Sequence, residues 1–250
     1  IYSRLNGTYS TTLDSGIDVS GTFMFGTRDC NGDKTANCDV TNHNFATFSG
    51  GFGSVSIGER FDAGAMMLSR MTASGPTAEP DGAIYADYYD SDGANFYGSA
   101  NERTYANNTM KILYASDVFS GFSFAASYTP NDGATGSGIT SGQLTTTGDY
   151  SNWNNFNDVL EVYGKYAMEM DGIGLELVYG TQTGNAGQIA GTNYNDLDET
   201  SYSVKVSYGG FSADYRKNEA GNSGFEKNSN AGNDEGTSIC GEYAFGSMRV

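Results

Sequence analysis

Tight turns and long polar loops alternate strictly along this chain, and between them run segments in which apolar and polar residues take turns. A period of two is the signature of a strand with one face for each kind of side chain. The pattern predicts the pairs Ser3–Thr11 with Ile17–Thr27 (turn TLDSG), His43–Ser49 with Phe52–Phe61 (Gly50-Gly51) and Thr109–Ala115 with Phe122–Thr129 (around Phe119-Ser120-Gly121). It continues with Asp158–Met168 and Ile173–Thr183 (EMDG), Thr200–Tyr208 and Phe211–Asn218 (Gly209-Gly210), and Thr237–Phe245 and Ser247–Val250 (near Gly246). Short glycine turns between alternating runs are strong hairpin signals. A soluble sandwich or solenoid would mix long and short connections at both ends, whereas here every short turn falls at one end of the strands. About twelve strands of roughly 7 to 11 residues, the length a tilted strand needs to cross a bilayer, point to an all-β fold, a transmembrane antiparallel β-barrel.

The two faces agree with that reading. One carries Leu5, Tyr9, Val19, Phe23, Ile57, Ile112, Phe124, Val162, Leu177, Val204, Tyr215 and Tyr243, with aromatics gathered at strand ends as in interfacial girdles. The other carries Arg4, Asn6, Ser54, Ser56, Arg60, Lys111, Ser127, Glu161, Lys165, Glu176, Lys205, Asp214, Arg216 and Glu242. Such charges would be costly in a dry core but are tolerated on the wall of a water-filled lumen. The mean hydropathy of -0.45 and the lack of a long apolar run exclude a transmembrane helix, not a barrel, in which only alternate residues meet lipid.

The formal net charge of -17 argues against binding nucleic acid or an anionic bilayer surface by electrostatics. Cys30 and Cys38 bracket NGDKTAN, a spacing that suits a loop-closing disulfide in an oxidising compartment; a metal site is the weaker reading, since His43 is the only histidine. Cys240 is left over. Nothing resembles a catalytic constellation: no Ser–His–Asp order surrounds His43, so no enzymatic activity is expected.

The connection 62–108 is the longest in the chain, and such loops are uncommon unless functional. It opens DAGAMMLSRM, which predicts a helical turn or two through Met66, Met67, Leu68 and Met71. Its middle reads EPDGAIYADYYDSDGANFYG, interleaving Glu79, Asp81, Asp87, Asp90 and Asp92 with Tyr85, Tyr88 and Tyr89. Folded inward, the apolar residues would pack on the barrel wall and the carboxylates would face water. DYYDSDG has part of a calcium-loop pattern, so a structural calcium at Asp87, Asp90 and Asp92 is a candidate, although the full ligand spacing and terminal Glu are missing; no other cofactor is expected.

With these features in hand, the sequence resembles the general diffusion porins of Gram-negative bacteria. The resemblance rests on SRLNG, on FSGGFGSVSIGERFDAG and on NNTMKILYASDVFSGFSFAASYTPNDG, and is firmest over 43–61 and 104–133. Asp117-Val118 stands where the family commonly has a proline after the serine. The resemblance implies one porin domain over 1–250, part of a barrel of about 16 strands with terminal strands lying outside this chain at both ends. It makes 62–108 the inward-folded constriction loop. It also implies a basic wall of Arg4, Arg60 and Lys111, extended by Arg28 and Arg103, facing the acidic Glu79, Asp81, Asp87, Asp90 and Asp92 across the pore, where a transverse field would orient dipolar solutes. The implied protein is a homotrimer in the outer membrane, touching lipid and lipopolysaccharide and passing small hydrophilic solutes and ions; the net charge of -17 adds the expectation of a mild cation preference. A plugged barrel acting as an adhesin or receptor through its Tyr-rich loops is the competing function. A substrate-specific sugar channel would need a ladder of lumenal aromatics, and the aromatics here fall mainly on the lipid parity.

Overall fold

The computed structural model describes residues 2–28, 44–68, 109–131, 156–186, 188–189, 192–224, 226–228, 234–245 and 248–249. Its strands, in chain order, are β1 (Tyr2–Thr12), β2 (Asp18–Arg28), β3 (Phe45–Gly50), β4 (Gly53–Arg60), β5 (Thr109–Ala115), β6 (Phe122–Asn131), β7 (Asn157–Met170) and β8 (Ile173–Asn185). They continue with β9 (Gln188–Ile189), β10 (Thr192–Asn193), β11 (Leu197–Tyr208), β12 (Phe211–Gly221), β13 (Asp234–Phe245) and β14 (Met248–Arg249). One short helix, α1 (Ala63–Met67), follows β4. Twelve strands form one antiparallel sheet in sequence order, with β9 and β10 pairing separately in the connection between β8 and β11. The result is the all-β meander of a transmembrane barrel.

Hydrogen bonding carries several strands beyond their alternating sequence. β11 starts at Leu197, before the predicted Thr200, because Leu197↔Gly184, Asp198↔Thr183 and Glu199↔Gln182 extend its ladder with β8. In the second hairpin the turn is Gly51-Phe52, not Gly50-Gly51, since Gly50 pairs with Gly53. Gly53 has φ +91°, and a Cβ there would lie 2.4 Å from the Ala115 carbonyl oxygen of β5, so this turn needs glycine for both reasons. Asp171-Gly172 between β7 and β8 has positive φ at both residues, the geometry that matches strand twist in a two-residue turn. β7 departs from regular pairing between Asn157 and Leu160. There Asp158 (φ +54°) accepts hydrogen bonds from the Tyr128 hydroxyl at 2.6 Å and the Asn185 amide at 3.1 Å, tying β6, β7 and β8 together.

The face distribution is inverted relative to a water-soluble sheet. Leu5 (66% exposed), Ile112 (51%), Tyr208 (65%) and Ile239 (76%) lie on one side, together with Phe23, Ile57, Phe124, Val162 and Tyr179. Lys111, Glu161, Gln182, Glu199, Arg216 and Asn218 are buried on the other. An apolar band this wide is stable only against another apolar phase, which for a barrel is lipid. Near the tight turns this band is aromatic: Phe122 and Tyr166 rings sit 4.5 Å apart, Tyr114 and Phe124 5.3 Å apart, and Tyr243 and Phe245 5.8 Å apart. No helix among the described residues is long and apolar enough to cross a membrane.

Candidate functional site

The inner face is not uniformly polar. Leu113, Ala115, Ala125, Tyr163 and Val178 sit at positions of wet parity on β5, β6, β7 and β8, and all are buried in one cluster with Ala63, Met67 and Leu68. This apolar pad is where the start of the long connection lands. The sequence Asp62-Ala-Gly-Ala-Met-Met forms α1 because Asp62 caps it: Asp62 is extended (φ -80°, ψ -178°), and its Oδ1 accepts from the Ala65 amide at 2.8 Å. The helix stops at Leu68, whose amide bonds the Gly64 carbonyl at 2.9 Å. Ala63, Gly64 and Met67 are buried, while Met66 points away from the wall. The predicted helical turn therefore exists, ending before Met71, which lies outside the described residues.

Glu161 of β7 reaches the same turn from across the sheet. Its Oε2 accepts from the Ala63 amide at 2.9 Å, the Gly64 amide at 3.4 Å and the Ser127 hydroxyl at 2.7 Å, and Ser127 Oγ also accepts from Ala63 at 3.2 Å. These amides belong to the first helical turn and have no intrahelical acceptor, so a carboxylate is a strong partner for them. Lys111 of β5 secures the neck of the loop. Its ammonium donates to the Arg60 carbonyl at 2.5 Å, the Thr109 carbonyl at 2.8 Å and Thr109 Oγ1 at 3.2 Å. Arg60 and Thr109 are the last pair of β4 and β5, the points where the chain leaves and rejoins the wall. Asp62 is fully buried, and burial pushes its carboxyl up, partly offset by the Ala65 amide and the Lys111 charge.

Arg60 lies along its own strand. Its guanidinium donates to Ser56 Oγ, reaches Met66 Sδ at 3.2 Å and sits 4.7 Å above the Phe45 ring. Gly58, between Ser56 and Arg60, is demanded by the backbone: its φ is +136°, and a Cβ there would lie 2.3 Å from the Asn44 carbonyl oxygen. Ser56 in turn shares a hydrogen bond of 2.7 Å with Thr47.

The structure thus brings Arg60 and Lys111 together at the loop neck. Arg4 is on β1, paired with Gly26, three strands or about 14 Å away along the sheet. Lys111 is buried against backbone carbonyls, so its side chain acts on the neck rather than on open water. Glu79, Asp81, Asp87, Asp90 and Asp92, with the calcium candidate among them, lie outside the described residues, as do Arg103, Cys30 and Cys38. Asp62 and Tyr163 also belong to the site, as does Ser127, which the alternation places only on the wet face. Asp before Ala-Gly-Ala is a helix-cap signal, and apolar residues at wet parity mark the pad. Farther round, Lys165 and Glu176 form an ion pair of 3.0 Å on the inner face.

The chain matches a family described as Gram-negative porin over residues 2–250. A comparison with curated protein sequences finds no match. Among solved structures, the anion-selective porin from Comamonas acidovorans aligns with a TM-score of 0.55 at 16% identity, over 97% of this chain and 64% of that one. Two mutants of the Rh. blastica porin give TM-scores of 0.51 at 17% and 16% identity, each over 99% of this chain and 72% of theirs. The likeness is one of fold, and the chain spans less than two thirds of the Comamonas protein.

Proposed function

Because the chain belongs to the Gram-negative porin family, and is an outer-membrane β-barrel protein, we propose that it forms a water-filled channel for passive diffusion of small hydrophilic solutes and ions. The observation that carries this reading is the start of loop 62–108 lying on the inner face, anchored to β5, β6 and β7 by Glu161, Ser127 and an apolar pad. A long loop that merely decorated the surface would have no reason to bury its first turn against the wall. The channel works as a homotrimer in contact with lipid and lipopolysaccharide, and it performs no catalysis.

In this reading the pore is narrowed by Glu79, Asp81, Asp87, Asp90 and Asp92 facing a basic side at Arg60, while Lys111 holds the neck of the loop. Wall charge alone does not set an ionic preference: Asp18, Glu161, Glu176, Glu199, Asp214 and Glu242 are offset by Arg4, Arg60, Lys111, Lys165, Lys205 and Arg216. The fold itself serves either sign, since the Comamonas porin is anion-selective. A mild cation preference therefore rests on the acidic loop. Single-channel recording of the full protein in a planar bilayer, with reversal potential under a salt gradient, tests the reading. Openings in threes with a cation-shifted reversal potential support it, and neutralising Asp87, Asp90 and Asp92 should weaken the preference. Correctly folded but silent barrels would refute the channel and favour a plugged adhesin or receptor.

A further inference from the structure

We infer that the outer face of β6, β7 and β8 carries a binding cleft for one phospholipid, with an acyl chain lying over Gly164 and an ammonium-bearing headgroup at Asp117. Gly164 stands at lipid parity in β7, paired with Phe124 of β6 on one side and Tyr179 of β8 on the other. Elsewhere in this sheet an aromatic pair partner fills the gap a glycine leaves. The Phe23 ring covers Gly7, the Tyr9 ring covers Gly21 and the Tyr163 ring covers Gly180, each with an atom 2.0 Å from where a Cβ would stand. Gly164 has two such partners and is covered by neither, since nothing lies within 4 Å of its Cβ position. The rings nearby are held by one another instead: Phe124 packs on Tyr114 at 5.3 Å, and Tyr166 on Phe122 at 4.5 Å. The result is a cleft of about 780 Å³ with Gly164 in its floor and Phe122, Phe124, Tyr166 and Tyr179 among its walls. That size falls within the roughly 300–1,000 Å³ range of small-molecule sites.

The cleft has a polar end. β7 runs on to Met170, whereas β6 begins at Phe122, opposite Tyr166, so the turn 116–121 sits against the flank of a taller hairpin. The Ala167 amide fixes that step by donating to the Gly121 carbonyl at 2.9 Å. Ser116 braces the turn, its hydroxyl donating to the Asp117 carbonyl and accepting from the Phe124 amide, both at 2.9 Å. Asp117 lines this end, exposed, and its carboxylate has no hydrogen bond or ion pair among the described residues. Lys165, which also lines the cleft, is paired with Glu176 on the inner face. An apolar trough thus ends in one uncompensated negative charge at the tight-turn rim, where hydrocarbon gives way to headgroups. An acyl chain fits the trough because this face already meets hydrocarbon, and a primary ammonium fits the carboxylate. The chemistry selects ethanolamine over choline, whose methylated nitrogen cannot donate. It also disfavours an anionic glycerol headgroup, which Asp117 and the net charge of -17 repel. The cleft lies outside the pore, so the inference stands whether or not the pore conducts.

The test places the full protein in nanodiscs doped with phosphatidylethanolamine, phosphatidylcholine or phosphatidylglycerol, each bearing the same diazirine-labelled acyl chain, and maps the crosslinked peptides after photolysis. In the wild type, labelling of residues 162–181 by the ethanolamine lipid should exceed that by the choline lipid about tenfold, the difference expected for one charge-assisted hydrogen bond. Asp117→Asn should erase most of that preference while the chain still labels the cleft. Gly164→Leu fills the trough and should abolish the label there for all three lipids, leaving the rest of the outer face labelled as before. If Gly164→Leu does not fold, Asp117→Asn, in an exposed turn, still decides the headgroup. Equal labelling by the three lipids in the wild type overturns the inference, as does a cleft labelled no more densely than the open face around Leu5 and Ile239. A disulfide-linked dimer that forms with Gly164→Cys and not with the wild type would also overturn it, assigning this face to a second copy of the chain.

Discussion

Replacing Lys111 by Met isolates the neck of the loop. Met keeps the apolar length of the stem and removes the ammonium, so packing of the stem is largely conserved. Three acceptor contacts disappear, at the Arg60 carbonyl, the Thr109 carbonyl and Thr109 Oγ1. A hydrogen bond to a charged group contributes roughly 1.5–3 kcal/mol, but the carbonyls can regain water once the neck opens, so the three do not sum. The second loss is electrostatic, because Asp62 and Glu161 no longer have a buried cation nearby. Removing one partner of such a buried group costs about 3–5 kcal/mol. Taking the overlap of the two estimates, Lys111→Met should destabilise the folded barrel by about 3 kcal/mol, read as the shift in urea-driven unfolding from lipid vesicles.

The electrostatic share can be separated. In a Glu161→Gln background one of the two carboxyls is already neutral, so the cost of Lys111→Met should fall by at least ~1 kcal/mol in a double-mutant cycle. A Lys111→Met protein within about 0.5 kcal/mol of wild type would refute the claim that this amine staples β4 to β5. Simple additivity in the cycle would refute its coupling to the carboxyl pair.

Other consequences are more local. Ile112→Arg places a charge on the exposed apolar face midway along β5, and should cost about 2–4 kcal/mol in a vesicle-folding titration if that face meets lipid. A Cβ on Gly64 would lie 3.1 Å from the Tyr163 ring, so Gly64→Val should push α1 off the wall and alter single-channel conductance, with Gly64→Ala intermediate. Burial raises the Asp62 carboxyl in the folded state, so the protein binds more protons folded than unfolded between the two pKa values. Stability should therefore decline as pH rises from about 4 through the folded value, and Asp62→Asn should lessen that decline in pH-resolved unfolding.

The sheet was readable because a strand with lipid on one side and water on the other must alternate over its whole length, which is why β5 has the predicted bounds, Thr109–Ala115. Where a strand runs on past its alternating stretch the constraint lapses: the starts of β11 at Leu197 and β13 at Asp234, and the small pair β9 and β10, are held by backbone ladders that no side-chain period records. The same logic divides the site. Arg60 announced itself as a cation at wet parity. Lys111 did too, but its partners are the backbone of Arg60 and Thr109, and only the Gly58↔Lys111 register decides that its amine closes the neck.

Glu161 shows the limit most sharply, since the amide it caps at Ala63 is 98 residues away in sequence and becomes a partner only once four strands have taken their places. What the sequence does carry is the lapse in pattern. Leu113, Tyr163 and Val178 break the rule that the inner face is polar, and residues that break a period without destabilising a fold must have found an apolar surface of their own. In a barrel whose lumen is water, that surface can only be a piece of chain folded inside. The exceptions to the alternation therefore locate the pad for α1, just as the alternation itself locates the membrane.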